Sequence, residues 1–96
     1  AFKKMGEIKT KYYLRFNALD EAGVLAKISG ILGDHNISIK SVLQKGENEK
    51  PPGVVPVIIL THRAREDDIQ DALGKIDNLT IVRGKSLLIR VEQGIF

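Results

Sequence analysis

Positions 11–19 alternate. Tyr12, Leu14, Phe16 and Ala18 fall on one face, and Tyr13, Arg15, Asn17 and Leu19 on the other. A period of two predicts a half-buried strand. Asp20-Glu21-Ala22-Gly23 breaks the strand, and the period then changes. Val24, Leu25, Ile28, Ile31 and Leu32 recur at helical spacing and share a face. Asp20 stands just upstream, where an acidic side chain favours a helix N-terminus. His35 and Asn36 close the helix.

Positions 37–45 return to alternation, with Ile37 and Ile39 on one side and Ser38 and Lys40 on the other. Residues 46–53, which include Pro51 and Pro52, read as a polar loop. Positions 54–61 are almost continuously apolar, which predicts a strand covered on both faces. Pro56 cannot donate to a ladder and belongs near that strand's start. Over 65–76, Ile69, Ala72, Leu73 and Ile76 form a second helical stripe. Glu66, Asp67 and Asp68 fill its first turn, as the helix dipole prefers. Positions 79–82 and 87–92 read as a last strand, bent or bulged around Gly84.

The order βαββαβ predicts an α+β, ferredoxin-like sandwich, with two helices on one face of a four-stranded antiparallel sheet. Right-handed crossovers give the strand order 4-1-3-2. The second strand is then an exposed edge, which invites pairing with another chain. Ile58 and Leu60, on the far face of the third strand, predict a cover for the open side of the sheet. A partner subunit or another domain of the same polypeptide would provide it.

A length of 96 residues implies one domain with one modest core. Hydrophobic residues at 43% and charged residues at 28% are an ordinary globular balance. The chain is too short for a dinucleotide-binding domain and a substrate domain together. Residues 1–10 lack a period and are basic, which suggests a linker or arm, and residues 93–96 a tail. The start at Ala1 suggests a piece of a longer protein. The net charge of +3 is mild, and Lys3, Lys4, Lys9 and Lys11 read as a solvated arm. The absence of cysteine excludes disulfides, thiolate metal sites and thiol catalysis, and it fits a reducing compartment such as the cytoplasm. No apolar run reaches transmembrane length, and no signal-peptide pattern opens the chain.

Catalytic signals are weak. His35 and His62 lie far apart without metal-ligand spacing. Gly23, Gly30 and Gly33 do not form a dinucleotide fingerprint, and there is no phosphate-loop motif. Glu66, Asp67 and Asp68 read as a solvated helix start rather than a metal site. The stretch 20–25 is more informative. There a strand ends, a glycine frees the backbone and a helix begins. The N–H groups of Gly23, Val24 and Leu25 would suit a carboxylate, and Asp20 beside them an ammonium. That combination matches a free amino acid, although an ordinary capped turn has the same pattern.

The run Tyr12-Tyr13-Leu14-Arg15-Phe16, the segment from Asp20 to Ile28, and Ile37-Ser38-Ile39-Lys40-Ser41-Val42-Leu43-Gln44 resemble the ACT domain of homoserine dehydrogenases. Thr61-His62 before an acidic helix start and Ile89-Arg90-Val91-Glu92 resemble the same family. The likeness spans residues 11–92, which would be the ACT domain. Ala22 departs from it, since the family usually has proline before the glycine.

The resemblance implies a non-catalytic regulatory module at the C-terminal end of an enzyme that reduces aspartate semialdehyde to homoserine with NAD(P)H. The cofactor would belong to the parent's other domains, with no cofactor or metal held here. It further implies a homodimer joined through the second strands, with an amino acid, threonine in many members, at the junction. Asp20, Gly23, Val24 and Leu25 of one chain would then face Asn36, Ile37 and Ser38 of its partner. A purely structural dimerisation module has the same sequence signature. RNA-binding modules share the topology but stack bases on aromatics of the first and third strands. The third strand here has no aromatic, and the first offers that face only Tyr13. The reading therefore includes neither nucleic acid nor membrane as a partner.

Overall fold

The computed structural model describes residues 8–19, 22–44 and 53–91. Strand β1 (Lys9–Leu19) carries the alternation read from the sequence: Tyr12, Leu14, Phe16 and Ala18 are fully buried, and the intervening residues are more exposed. The strand starts two residues before the alternation does. Lys9 and Thr10, assigned above to an arm, are part of it, and residues 1–7 lie outside the described residues.

Helix α1 (Val24–Asp34) buries Val24, Ile28 and Leu32 against the sheet, while Leu25 and Ile31 flank them, half-buried. Gly23 caps it with φ 84°, and no side chain caps the N-terminus. His35 ends it, and Asn36 turns the chain at φ 61°. Strand β2 (Ile39–Gln44) begins two residues later than the alternation suggests. Ile37 is buried ahead of it, and a bulge between Ile39 and Ser41 shifts the register.

Strand β3 (Val54–Thr61) has the predicted bounds. Pro56 lies opposite Asn17 of β1 and one residue beyond the last described β2 pair, Gln44 with Val57. A two-residue strand, β4 (Ala64–Arg65), was not foreseen. Continuing the β1–β3 register would set Thr10 opposite Arg63, but it faces Ala64. One extra residue is therefore accommodated around His62 and Arg63. The hydroxyl of buried Thr61 accepts the Tyr12 amide at 3.1 Å, satisfying a group near this slip.

Helix α2 (Glu66–Asp77) packs Ile69, Ala72, Leu73 and Ile76 into the core. Residues 79–82 are not strand, as expected above, but turn. The Leu79 amide donates to Ile76 and the Val82 amide to Leu79, and a single bridge joins Val82 to Ala18. Gly84, at φ 75°, redirects the chain into β5 (Leu87–Val91), which pairs with the first half of β1. The fold is thus α+β. The long strands run β2-β3-β1-β5, all antiparallel, which is the 4-1-3-2 order expected when β5 is counted as the fourth.

Candidate functional site

The two halves of the expected pocket sit at opposite ends of α1. At its start, Gly23 holds a left-handed conformation, and no described residue comes within 4 Å of where a side chain would stand. Its carbonyl accepts the Lys27 amide at 3.0 Å, closing the first turn. A cavity of about 120 Å³ opens beside it, lined by Ala22, Gly23, Val24, Lys27 and Ile81. Val24 contributes mainly backbone, because its side chain is in the core, and Leu25 is half-buried. Asp20 lies outside the described residues.

At the far end, the amides of Asn36 and Ile37 donate to Gly33 and Leu32 of the last helical turn. Ser38 is exposed, and its carbonyl accepts the His62 amide at 2.9 Å, tying the approach to β2 to the end of β3. An 11-residue helix separates these groups. At the usual rise this is about 16 Å, so one chain does not bring the two halves together.

Two lining residues escaped the sequence reading. Lys27 stands one helical turn after Gly23, so its spacing could have revealed it as a cation beside the cavity. Ile81 comes from the turn misread as strand, and nothing local marks it.

Glu66, expected above on a solvated helix start, is not part of a solvated face. It is buried, with 6% of its surface accessible. Its Oε1 accepts the Tyr12 hydroxyl at 2.7 Å and Arg90 Nε at 2.9 Å, and its Oε2 accepts Gln70 Nε2 at 2.6 Å. Burial alone would raise the Glu66 pKa. The hydrogen bonds from Gln70, Tyr12 and Arg90, with the Arg90 charge, win and hold it below the ordinary carboxylate value. Burial, then the Glu66 hydrogen bond and charge, push Tyr12 up to about 12. This network joins β1, α2 and β5 and is a structural fastener. It lies apart from the Gly23 cavity. Asp67 and Asp68 remain on the more exposed side of the helix start. Among the described residues, no cluster of three or more His, Asp or Glu side chains could hold a metal, and no helix is long and apolar enough to cross a membrane.

The edge strand and the open face of the sheet both carry exposed apolar side chains among polar ones. On β2, Val42 is 40% and Leu43 54% exposed. Across the open face one row runs Leu43, Ile58, Arg15 and Leu87, and the next Ser41, Leu60, Tyr13 and Ile89.

The family model for the ACT domain matches residues 12–79. The chain belongs to the ACT domain family. This ACT domain is 45% identical over 85 residues to a homoserine dehydrogenase of Pseudomonas aeruginosa, covering 88% of the chain and 19% of that protein. Its fold superposes on the crystal structure of a homoserine dehydrogenase from Thiobacillus denitrificans with a TM-score of 0.83 and 39% identity, over 96% of this chain and 20% of that one. The ACT domain of a GTP pyrophosphokinase from Chlorobium tepidum, at 12% identity and a TM-score of 0.66, shares the fold over 85% of this chain and 100% of its own. The ACT domain therefore spans about a fifth of the length of the homoserine dehydrogenases it matches.

Proposed function

We propose that this ACT domain is the amino-acid-sensing module of a homoserine dehydrogenase, and that it binds threonine between two copies of itself. The observation that carries the reading is the separation of the Gly23 turn from residues 36–38 by the length of α1. Strand β2 runs parallel to β1, since both are antiparallel to β3. It therefore begins at the end of the sheet where α1 ends. Antiparallel pairing of two β2 edges reverses one copy. The partner's Asn36, Ile37 and Ser38 then approach this chain's Gly23, Val24 and Leu25. A backbone N–H cluster and Lys27 would take the carboxylate. Asp20 is the group for the ammonium.

The rest of such an enzyme would hold NAD(P)H and reduce aspartate semialdehyde to homoserine, with the cytoplasm as its compartment. Threonine bound between two modules would favour one relative orientation of the subunits, and the catalytic domains would respond to that population shift. A coupling of about 1–3 kcal/mol suffices for useful inhibition.

Calorimetric titration with threonine, with the mass in solution measured alongside, tests this. Saturable binding to a dimer, weakened in both Asp20→Ala and Ser38→Ala, is the expected result. A well-formed dimer that stays silent to millimolar threonine would make the module an assembly element without a ligand.

A further inference from the structure

The open face of the sheet gathers apolar side chains around a single free charge. Leu43, Ile58 and Leu87 share one row across it, and Leu60, Tyr13 and Ile89 the next. Leu43, Leu87 and Ile89 are each about half exposed, while Ile58, Leu60 and Tyr13 are half-buried. A contiguous patch of this kind gains from being covered. Arg15 stands within it, between Ile58 and Leu87. It is exposed and takes part in no hydrogen bond or ion pair among the described residues. Lys11, near the end of the same face, already has a partner. No Asp or Glu lies on this face in the described strands.

Area and charge discriminate between occupants. The two rows amount to an area on the order of 300 Å² at the usual strand spacing and rise. Separate proteins need about 800 Å² a side for stable association. A second copy is therefore a poor cover, and it fails on charge as well. It brings no carboxylate to Arg15, and a twofold stack would set two guanidinium groups in one buried layer, where an unpaired charge is costly. A surface tethered in the same polypeptide needs less area, because tethering raises its effective concentration to about the millimolar range. Domains joined in one chain meet over about 600–1,500 Å² in total, counting both sides. This chain covers 19% of one homoserine dehydrogenase and 20% of another, so a relative of that length has such surfaces to offer.

We propose that the open face docks against another domain of the same polypeptide, through an apolar surface that carries a carboxylate opposite Arg15. The inference rests on the reading of this chain as one module of a homoserine dehydrogenase, but it needs neither threonine nor pairing through β2. Leu43, Ile58, Leu87 and Ile89 supply the apolar contact. Arg15 sets its orientation, because a planar guanidinium fork takes a carboxylate in a fixed geometry. The backbone edge of β2 stays free, so one sheet can serve both contacts.

The chain has no cysteine, so one introduced thiol reports on its own surroundings. Ile89→Cys and Leu87→Cys are each prepared in the isolated chain and in the complete polypeptide. Both are labelled with a maleimide, and the tagged peptide is quantified by mass spectrometry. Lys75→Cys, on the exposed side of α2, is the control and should react alike in both settings. The two sheet thiols should react about tenfold or more slowly in the complete polypeptide, as expected when the undocked form is a minor state of about a tenth or less. Arg15→Glu should restore fast labelling there and leave the labelling and the dichroism spectrum of the isolated chain unchanged. Equal rates in the isolated chain and the complete polypeptide would overturn the proposal. So would protection that survives Arg15→Glu, or protection in the isolated chain that grows with its concentration, the mark of a second copy. Reduction of aspartate semialdehyde by the complete polypeptide, and its inhibition by threonine, are measured on the same samples, so a failure of the proposed function shows separately.

Discussion

Arg90, on the outer strand β5, grips the buried carboxylate of Glu66 at the start of α2 through both Nε and a terminal nitrogen, each 2.9 Å from Oε1. The Arg90 side chain is 56% exposed and that of Glu66 only 8%. The pair thus joins a solvated cation to a desolvated anion. The anion carries more of the energetic consequence, because water can replace what Arg90 loses but cannot reach Glu66.

Glu66→Gln should therefore destabilise the domain at neutral pH by about 1.5–3 kcal/mol, the range for hydrogen bonds to a charged group. The exposure of Arg90 favours the lower part of that range. The sign of the pH dependence follows from the lowered Glu66 pKa. A depressed carboxylate contributes stability that is fully present above its unfolded value, about 4.3, and is lost as pH falls through the lower folded value. Chemical denaturation from pH 7 downward should show the wild type losing stability below that point. The gap to Glu66→Gln should close over the same window. A gap that stayed constant through the acid range would mean that the carboxylate's charge is not what the network uses.

Tyr12 gives the complementary prediction at alkaline pH. Its folded pKa of about 12 lies above the ordinary value, so the neutral phenol is the form the fold favours. The associated stability is intact below about pH 10 and lost as the pH rises through the folded value. Absorbance at 295 nm should report ionisation of this tyrosine only near pH 12, together with loss of structure. Tyr12→Phe should remove that phase and cost about 1.5–3 kcal/mol for the missing hydrogen bond to the charged Glu66 carboxylate.

Backbone conformation makes Gly23 and Asn36 respond in opposite ways. Gly23→Ala meets nothing within 4 Å among the described residues, so the φ of 84° sets its cost. About 1–2 kcal/mol is expected, or roughly 4–8 °C of melting temperature per kcal/mol in a domain this size. Asn36→Gly, at φ 61°, should be close to neutral, because glycine adopts that region freely. Asn36→Val should destabilise most, since a branched side chain is least compatible with it. Melting curves of the three variants settle the order.

The fold was legible because period and burial agree. Tyr12, Leu14, Phe16 and Ala18 alternate in the sequence and are buried in the structure, and Ile69, Ala72, Leu73 and Ile76 do the same at helical spacing. Legibility failed where a residue's partner is distant in sequence. Glu66 looks like any acidic residue in a first helical turn. Only the fold brings it to Tyr12 and Arg90, 54 and 24 residues away. Residues 79–82 are apolar enough for a strand, but Ile81 and Val82 serve the core from a turn. The Gly23 turn was found because a strand-to-helix change around a glycine is a local signal.

The remaining prediction concerns β2, whose outer edge has no strand partner among the described residues. If two copies join there about a twofold axis, residues in the middle of the strand lie near their own counterparts. Val42→Lys would set like charges close together across the junction, which is destabilising for a strand pair, and an edge lysine is a usual device against such pairing. Val42 is 40% exposed within one chain, so the substitution should leave the circular dichroism spectrum of the monomer intact. Sedimentation should show a dimer for the wild type and a monomer for the variant. Threonine binding should disappear with the dimer, because the half-sites at the two ends of α1 would no longer meet. A variant that stayed dimeric would move the contact to the open face of the sheet, where Leu43, Leu87 and Ile89 are each about half exposed. Face-to-face stacking of that kind would leave Gly23 and Ser38 of different chains apart, and the shared pocket would be lost with it.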